Sequence, residues 1–223
     1  MIFLEHIHKS YGRGPRAKKV LKNASFVIEG SSKSAGILGA KKSGKTTIVN
    51  IISGIAVPDS GRVVRKARVS WPLSWRGFGG QMTGEEFISI IARMYRFGRW
   101  GLLRFTAEAS DLRSKLYEPM QAYTAEEKDR LMQAAAIGLD FEVYLIDEHV
   151  PEVGKQHQPR YHFLWEETFR KSRVVAVSAK PAVLSRYCQS AHVLSEGRIS
   201  EALPLEQAES ALEATTQKQG APL

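Results

Sequence analysis

The hydrophobic pattern of the 223-residue chain alternates between short apolar runs and longer stretches with apolar residues at helical spacing. Residues 2–8 and 20–28 predict two strands joined by a polar, basic connection, which is the pattern of an antiparallel pair. Apolar runs at 143–146 and 174–178 predict strands that are buried on both faces, as in a parallel sheet. A further strand is predicted over 62–70.

Helices are predicted between these strands. Thr83 and Thr124 each open a capping box that is followed by apolar residues at helical spacing, so we expect a helix to begin near residue 84 and another near 125. Residues 191–199 predict a hairpin, and 205–214 are weakly helical. This alternation predicts an α/β fold with a mainly parallel sheet and helices on both faces.

The length suits one core with a helical insertion. We expect a single domain over 1–215, a helical subdomain over about 83–139 within it, and a loose tail at 216–223.

One segment has the spacing of a phosphate-binding P-loop, a glycine and four residues followed by Gly-Lys-Thr, between a predicted strand at 34–38 and a predicted helix at 46–52. In such a loop, backbone N–H groups and the positive end of the helix face a triphosphate. Lys45 would reach the outer phosphates, and the Thr46 hydroxyl would ligate Mg²⁺. The predicted ATP-binding residues of this loop are Gly39, Ala40, Lys41, Lys42, Ser43, Gly44, Lys45, Thr46 and Thr47.

Lysines replace small residues inside this loop. If position 42 requires a positive φ, Lys42 costs on the order of 1 kcal/mol there. The charges of Lys41 and Lys42 would offset that cost by attracting phosphate.

Two acids, Asp147 and Glu148, directly follow the predicted buried strand at 143–146. Acids at the end of an apolar strand are costly unless they are paired or functional. Together with the P-loop they predict an ATPase site, in which Asp147 holds the Mg²⁺ shell and Glu148 is the catalytic base that polarises a water.

The charge balance is basic, with 32 Lys and Arg against 23 Asp and Glu and a net charge of +9. This suits a nucleotide, a nucleic acid or an acidic membrane face as partner. No run of about 18 apolar residues predicts a membrane span, and charged residues interrupt any signal-peptide core. The single cysteine, Cys188, fits a reducing compartment, so we expect the cytoplasm.

Three patterns leave alternatives open. Tyr11 could stack on a base or simply end its strand. His6 and His8 share a strand face without a third ligand, which favours a structural role. Residues 93–105 carry arginines among aromatic residues and no acid, so they could contact a membrane or partner helix, or pack on their own domain.

The order of motifs resembles that of ATP-binding-cassette (ABC) ATPases over nearly the whole chain. Four segments are similar to the ATPase subunits of capsular-polysaccharide exporters: Lys9-Ser10-Tyr11, Pro58-Asp59-Ser60-Gly61, Ser70-Trp71-Pro72-Leu73 and Glu152-Val153-Gly154. The resemblance implies a P-loop NTPase core with N-terminal antiparallel strands and a helical subdomain. It also implies that Tyr11 stacks on adenine.

The resemblance further implies a subunit at the cytoplasmic face of the inner (plasma) membrane, peripheral through an integral membrane permease. A second ATP-binding subunit, the same chain or a homologue, is the other implied partner. ATP and Mg²⁺ are the implied cofactors, and export of a capsular or surface polysaccharide is the implied function. No specific nucleic acid is expected.

The signature motif of the family departs from its usual pattern, because Thr124-Ala125-Glu126 stands where small residues contact the γ-phosphate of the partner subunit. Glu126 and Glu127 stabilise the local helix but would repel a phosphate there.

Sensing positions depart as well. Ala179 stands in place of the switch histidine, and Lys155 in place of an aspartate. The glutamine of the loop that senses Mg²⁺ and the permease falls near Gly79, with Gln81 as a shifted substitute. ATP binding is therefore expected to survive better than hydrolysis.

Three functions follow from these patterns. The leading one is an ABC exporter ATPase, with Glu148 as its base and an impaired cycle. The second is a nucleotide-binding regulatory subunit that does not turn over. A nucleic-acid-associated ATPase is the third, although the basic residues are dispersed and no readout module is recognised.

Overall fold

The computed structural model describes residues 1–28, 34–73, 80–148 and 159–220, the last range without the side chains of 159–162 and 217–220. The chain divides into two compact units. The first comprises Met1–Pro72, Glu142–His149 and Arg173–Leu223, and the second comprises Leu73–Phe141 and Val150–Ser172. Three features named above lie outside the described residues: Gly79, Lys155 and Glu152-Val153-Gly154.

The first unit opens with a three-stranded antiparallel sheet, which confirms the predicted amino-terminal pair. β1 (Ile2–Tyr11) pairs with β2 (Lys18–Ile28) on one side and with β4 (Ser60–Arg65) on the other. The single strand predicted over 62–70 is wrong. β4 ends at Arg65, and β5 (Val69–Pro72) belongs to the second sheet, because the polar residues between them carry the chain from one sheet to the other.

The second sheet contains the predicted buried strands in the order β10-β8-β3-β7-β6-β5, with β9 paired to β8. The strands from β8 to β5 in this order run parallel, and β9 and β10 pair antiparallel with β8. The carboxyl ends of β3, β6 and β7 therefore lie side by side. The strands are β3 (Ser34–Leu38), β6 (Val143–Asp147), β7 (Arg173–Ser178), β8 (Ser190–Ser195), β9 (Arg198–Ile199) and β10 (Leu203–Pro204).

Helix α1 (Lys45–Ser53) joins the two sheets of the first unit in one apolar core. Its buried residues Ile48 and Ile52 belong to the same cluster as Leu4 of β1 and Val175 of β7. The guanidinium of Arg65 donates to the last carbonyls of the helix, with Nε 2.7 Å from Ile52 O. The far end of α1 is thus held to the antiparallel sheet, which leaves its amino terminus at the ends of the parallel strands.

Two more helices complete the first unit, the short α6 (Pro181–Leu184) and α7 (Leu205–Gly220). Helix α7 extends past residue 215, where the sequence predicts a tail to begin. Cys188 is buried, and burial raises the pKa of its thiol to about 11, which fits a packing role. None of the helices described is long and apolar enough to cross a membrane.

The second unit is helical in its described residues, with α2 (Gly84–Met94), α3 (Arg99–Ser110), α4 (Ala125–Gly138) and α5 (Pro159–Lys171). The two predicted capping boxes are present, at Thr83 before α2 and at Thr124 before α4. Both helices therefore begin where the sequence predicts.

Residues 93–105 are partly packed on their own unit and partly exposed, and contact of the exposed part with a membrane or partner helix stays a prediction. Leu102 and Leu103 are buried on the inner face of α3, whereas every residue of 93–101 is exposed. Met94 and Trp100 have 64% and 70% of their surface in solvent. We call residues 93–101 the aromatic–arginine segment; it contains three arginines and no acid.

Candidate active site

The predicted P-loop connects β3 to α1 at the carboxyl edge of the parallel sheet. Gly44 precedes the helix with a φ of 111°, and no side chain caps the first turn. The first turn also contains no acid. Its N–H groups and the positive end of the helix dipole are therefore left for an anion.

Close packing explains one of the loop glycines. A Cβ at Gly39 would lie 2.5 Å from Ser43 Oγ and 2.9 Å from Leu194 O, so no side chain fits. Lys42 has a φ of 67°, the positive value that the sequence analysis considered. A lysine in this region costs on the order of 1 kcal/mol.

Lys45 is 95% buried beneath the loop, with 5% of its surface exposed. Its Nζ donates to Gly39 O at 3.0 Å and Ala40 O at 2.9 Å, and lies 3.2 Å from Glu148 Oε1. An ammonium group has three donors, so these contacts account for all of them. The structure thus brings the predicted phosphate-binding lysine and the predicted base together.

Asp147 ends β6 beside the first turn of α1. Its Oδ1 is buried and has no hydrogen-bond partner among the described residues. Burial raises the pKa of Asp147, and the neighbouring Glu148 charge acts in the same direction, against a hydrogen bond from Thr46 and the charge of Lys45. An unsatisfied carboxylate oxygen next to a hydroxyl is a donor set that suits Mg²⁺, so these two residues fit the predicted metal site.

Glu148 follows with a φ of 67°, which turns the chain away from the strand. Its Oε2 accepts from Ser178 Oγ at 3.2 Å and from the backbone N–H of Ala179 at 3.1 Å. The contact between Ser178 and Glu148 was not predicted from the sequence. The position of this serine at the end of the next buried strand is the feature that could have suggested it.

Tyr11 lies at the end of β1 with 46% of its surface exposed. No described contact joins it to the P-loop. Asp59, which the sequence offers only as part of a family-like segment, holds this strand end: it accepts from Lys9 Nζ at 2.9 Å and from Ser10 N at 2.6 Å. The ammonium of Lys9 also lies over the Tyr11 ring, 5.6 Å from its centroid, so one face of the half-exposed ring already has a cationic neighbour.

A lysine-lined cleft of about 230 Å³ lies beside the P-loop. It also includes the turn between β8 and β9 and part of α7. Clustered positive charge attracts a polyphosphate over a distance of about 10 Å at moderate salt. The lysines of the cleft are Lys18, Lys19, Lys22, Lys41 and Lys42.

The start of α4 carries the degenerate signature segment. Glu127 Oε2 accepts from Thr124 N at 2.8 Å, and the same carboxylate lies 2.8 Å from Lys115 Nζ. Burial acts to raise the pKa of Glu127, but the hydrogen bonds from Lys115 and Thr124 hold it below its usual range. Glu126 is exposed. The expected repulsion of phosphate therefore rests on Glu126, because the charge of Glu127 is offset by Lys115.

The described side-chain contacts of His6 and Gln81 are with asparagine or glutamine side chains and not with the P-loop or its acids. His6 Nδ1 is 2.7 Å from Asn23 Oδ1, which gives its ring a structural partner. Gln81 is exposed in the second unit, with its amide oxygen 3.5 Å from Gln121 Nε2.

No family model matches the chain, but known proteins match most of its length. The "ATP-binding protein BexA" of Haemophilus influenzae is 34% identical over 198 residues, which cover 88% of this chain and 91% of BexA. The "Capsule polysaccharide export ATP-binding protein CtrD" of Neisseria meningitidis is 33% identical over 200 residues, covering 89% of this chain and 92% of CtrD.

Solved structures agree on the fold. A dimeric bacterial ABC transporter cassette matches with a TM-score of 0.71 at 18% identity, covering 92% of this chain and 99% of that one. An ATP-binding subunit of an ABC transporter matches with a TM-score of 0.69 at 18% identity, covering 99% of this chain and 95% of that one. The fold is thus that of an ABC ATPase cassette, and the chain belongs to the family of ABC-type ATP-binding proteins that includes BexA and the capsule polysaccharide export protein CtrD.

Proposed function

We propose that this chain is the ATP-hydrolysing subunit of an ABC exporter that moves a capsular or surface polysaccharide through a membrane permease. One observation carries the hydrolytic part: Glu148 and the P-loop Lys45 meet at 3.2 Å beside an acid with an unsatisfied buried oxygen. The similarity to CtrD, a capsule polysaccharide export ATP-binding protein, supports the polysaccharide part.

ATP binds with its phosphates at the start of α1. The open N–H groups of the loop from Gly39 to Thr47 and the ammonium of Lys45 contact the phosphates. Tyr11 stacks on adenine from the end of β1, held in place by the contacts of Asp59. The neighbouring lysine-lined cleft raises the local concentration of the anion.

Thr46 and Asp147 are the residues that would hold Mg²⁺. When bound, this ion neutralises charge on the β- and γ-phosphates. The buried position of Asp147 keeps its carboxylate directed at the start of α1, where Thr46 hydrogen-bonds to it.

Hydrolysis uses Glu148 as a general base. Lys45 exchanges its contact with Glu148 for the phosphates, which leaves Oε1 for a water molecule. The water oxygen forms a bond to the γ-phosphorus, its proton passes to Oε1, and the bond to the bridging oxygen breaks with its electron pair on ADP.

Two protein partners complete the proposal. A second ATP-binding subunit, the same chain or a homologue, closes on the nucleotide. The permease binds the aromatic–arginine segment and holds the chain at the cytoplasmic face of the inner membrane. Phe97 and Arg93 of that segment also line a groove of about 740 Å³ between α2 and the start of α3. Exposed aromatic residues with arginines are typical of interface centres.

The permease contact is tested by co-purification. The double variant Phe97→Ala/Trp100→Ala is expected to lose a co-expressed permease, whereas Tyr117→Ala, which removes another exposed aromatic of the same unit, keeps it. Equal recovery of the permease by all three proteins contradicts this docking surface.

A second candidate function, a nucleotide-binding subunit without turnover, is favoured by two observations. Glu126 exposes a carboxylate at the α4 terminus, and Ala179 has no side chain that could reach a γ-phosphate. In this case a homologous partner subunit performs the hydrolysis.

One experiment separates the candidates. The purified protein is compared with its Glu148→Gln variant for ATP binding and for phosphate release, alone and with the permease. We expect both proteins to bind ATP. The hydrolysis rate of the variant should fall by a factor on the order of 10²–10⁴. Equal and negligible release by both, with ATP still bound, would falsify the enzymatic function and favour the second candidate.

A further inference from the structure

The carboxylate of Glu148 is held differently at its two oxygens. Oε1 faces only the ammonium of Lys45 among its described contacts, at 3.2 Å. Oε2 accepts two hydrogen bonds, from Ser178 Oγ at 3.2 Å and from Ala179 N at 3.1 Å. One oxygen is therefore tied to the end of β7, and the other faces the P-loop.

The direction of the Ser178 hydroxyl proton follows from a third contact. The backbone N–H of Lys180 donates to Ser178 Oγ at 3.0 Å. An N–H group can only donate, so it occupies an acceptor position of the hydroxyl oxygen. The hydroxyl proton is then available for Glu148 Oε2, and the bond is one from a neutral donor to a charged acceptor, which is among the stronger kinds.

Ser178 is also linked to the P-loop through its backbone. It is fully buried at the last position of β7, and its carbonyl oxygen accepts from Gly39 N, the first residue of the P-loop, at 3.1 Å. A single residue thus contacts the P-loop through its backbone and Glu148 through its side chain. Such a link fixes the distance between the phosphate cradle and the base.

We propose that Ser178 is the positioning residue for Glu148 and fixes Oε2 so that Oε1 receives the proton of the attacking water. The inference rests on the proposed hydrolysis at Glu148. Position 179 is an alanine and supplies only its backbone N–H, so the serine hydroxyl is the one side-chain donor that the end of β7 gives to this carboxylate in the described structure.

The test compares Ser178→Ala, Ser178→Thr and the control Ser185→Ala in the full chain, with ATP hydrolysis and ATP affinity measured for each. Ser185 is an exposed serine of the same unit, and the one hydrogen bond of its hydroxyl within the described part of the chain goes to Ala182 O. We expect kcat to fall about 10- to 100-fold in Ser178→Ala. The Thr variant regains most of this loss, and the Kd for ATP and the control activity stay within twofold of the parent.

Combining Ser178→Ala with Glu148→Gln separates positioning from general damage. In a Glu148→Gln background the same substitution changes the residual rate by less than twofold, because its effect runs through that carboxylate.

Three outcomes overturn the inference. An unchanged kcat in Ser178→Ala, with the parent still dependent on Glu148, removes the role of Ser178 alone. A further loss in the Glu148→Gln background shows that the serine acts elsewhere. Equal rates of the parent and Glu148→Gln remove the proposed hydrolysis and this inference together.

Discussion

Helices α1 and α4 begin in opposite ways. At α1, Gly44 offers no side-chain cap, the first turn contains no acid, and five lysines line the adjacent cleft. At α4, Thr124 and Glu127 satisfy each other's backbone groups in a complete capping box, and two acids occupy the first turn. The open terminus gives up local stability for the ability to bind an anion, whereas the closed terminus keeps the stability and loses the binding site.

The two carboxylates nearest these termini differ in the same sense. Burial raises the pKa of Asp147 beside α1, while contacts with Lys115 and Thr124 lower that of Glu127 at α4. For Asp147 the cost of burial outweighs the hydrogen bond from Thr46 and the charge of Lys45, whereas for Glu127 the contacts outweigh burial. The first site is prepared for a cation, and the second is already satisfied.

The largest effect is expected from removing the central cation of the open terminus. Lys45→Ala should weaken ATP binding by on the order of 10- to 100-fold, because charge-assisted hydrogen bonds contribute about 1.5–3 kcal/mol each. Titration with ATP in a calorimeter measures the change.

The matched control for that substitution is Lys66→Ala, since Lys66 is exposed and only its backbone N–H makes a described contact, with Met1 O. If both variants bind ATP as the parent does, α1 is not the anion-binding terminus.

The next effect comes from the closed terminus. Glu127→Gln keeps a capping side chain but loses the ion pair with Lys115, and is expected to lower the free energy of unfolding by about 1 kcal/mol at pH 7. Because the pKa of Glu127 is lowered on folding, its contribution is present above the unfolded value and is lost as the pH falls below about 4.3. Urea unfolding at pH 7 and pH 3.5 measures both.

Glu126→Gln is the control for Glu127→Gln, and its free energy of unfolding should stay within about 0.5 kcal/mol of the parent. Equal losses in the two variants would contradict the distinction between a paired and an exposed acid.

A smaller change concerns the backbone of the open terminus. Lys42→Gly removes the Cβ that makes the positive φ at this position unfavourable, and should stabilise the nucleotide-free protein by up to about 1 kcal/mol. Lys41→Gly lies next to it without a positive φ and should instead lose a few tenths of a kcal/mol. Thermal unfolding of both variants compares them, and a gain at position 41 but not at 42 would disprove the explanation.

The smallest effect concerns Asp147. Its ionisation makes the free energy of unfolding depend on pH in the opposite direction to that of Glu127. The raised pKa of Asp147 means that its ionisation costs stability as the pH rises through the folded value. Asp147→Asn should therefore be more stable than the parent at pH 7 without nucleotide, and the two should converge below about pH 3.9. Unfolding curves that diverge toward low pH would contradict this.

The comparison also shows what could be predicted from the sequence. The capping box at Thr124 and the glycine spacing before Lys45 are local patterns, and a local pattern predicts a helix terminus well. The break between β4 and β5 was missed because the residues on either side of it all suit a strand, and only the sheet they join differs.

Contacts between residues that are distant in sequence leave no local pattern from which they could be predicted. Lys115 pairs with Glu127, Asp59 with Lys9, and Ser178 with Glu148, across 12 to 50 positions. Each depends on which strands and helices become neighbours, and hydrophobic periodicity does not determine that. The residues of the site could thus be named from sequence, but the contacts that orient them could not.

The position of β3 has a consequence for synthesis on the ribosome. This strand carries the P-loop, yet its two neighbours in the sheet are β7 and β8, which begin at Arg173 and Ser190. At about 5–20 residues per second the nascent chain waits on the order of 10 s between completing β3 and completing β7. During that time the edges of an apolar strand are unpaired, so ribosome-associated chaperones and a slow, late folding step are expected to determine how much active protein a cell obtains.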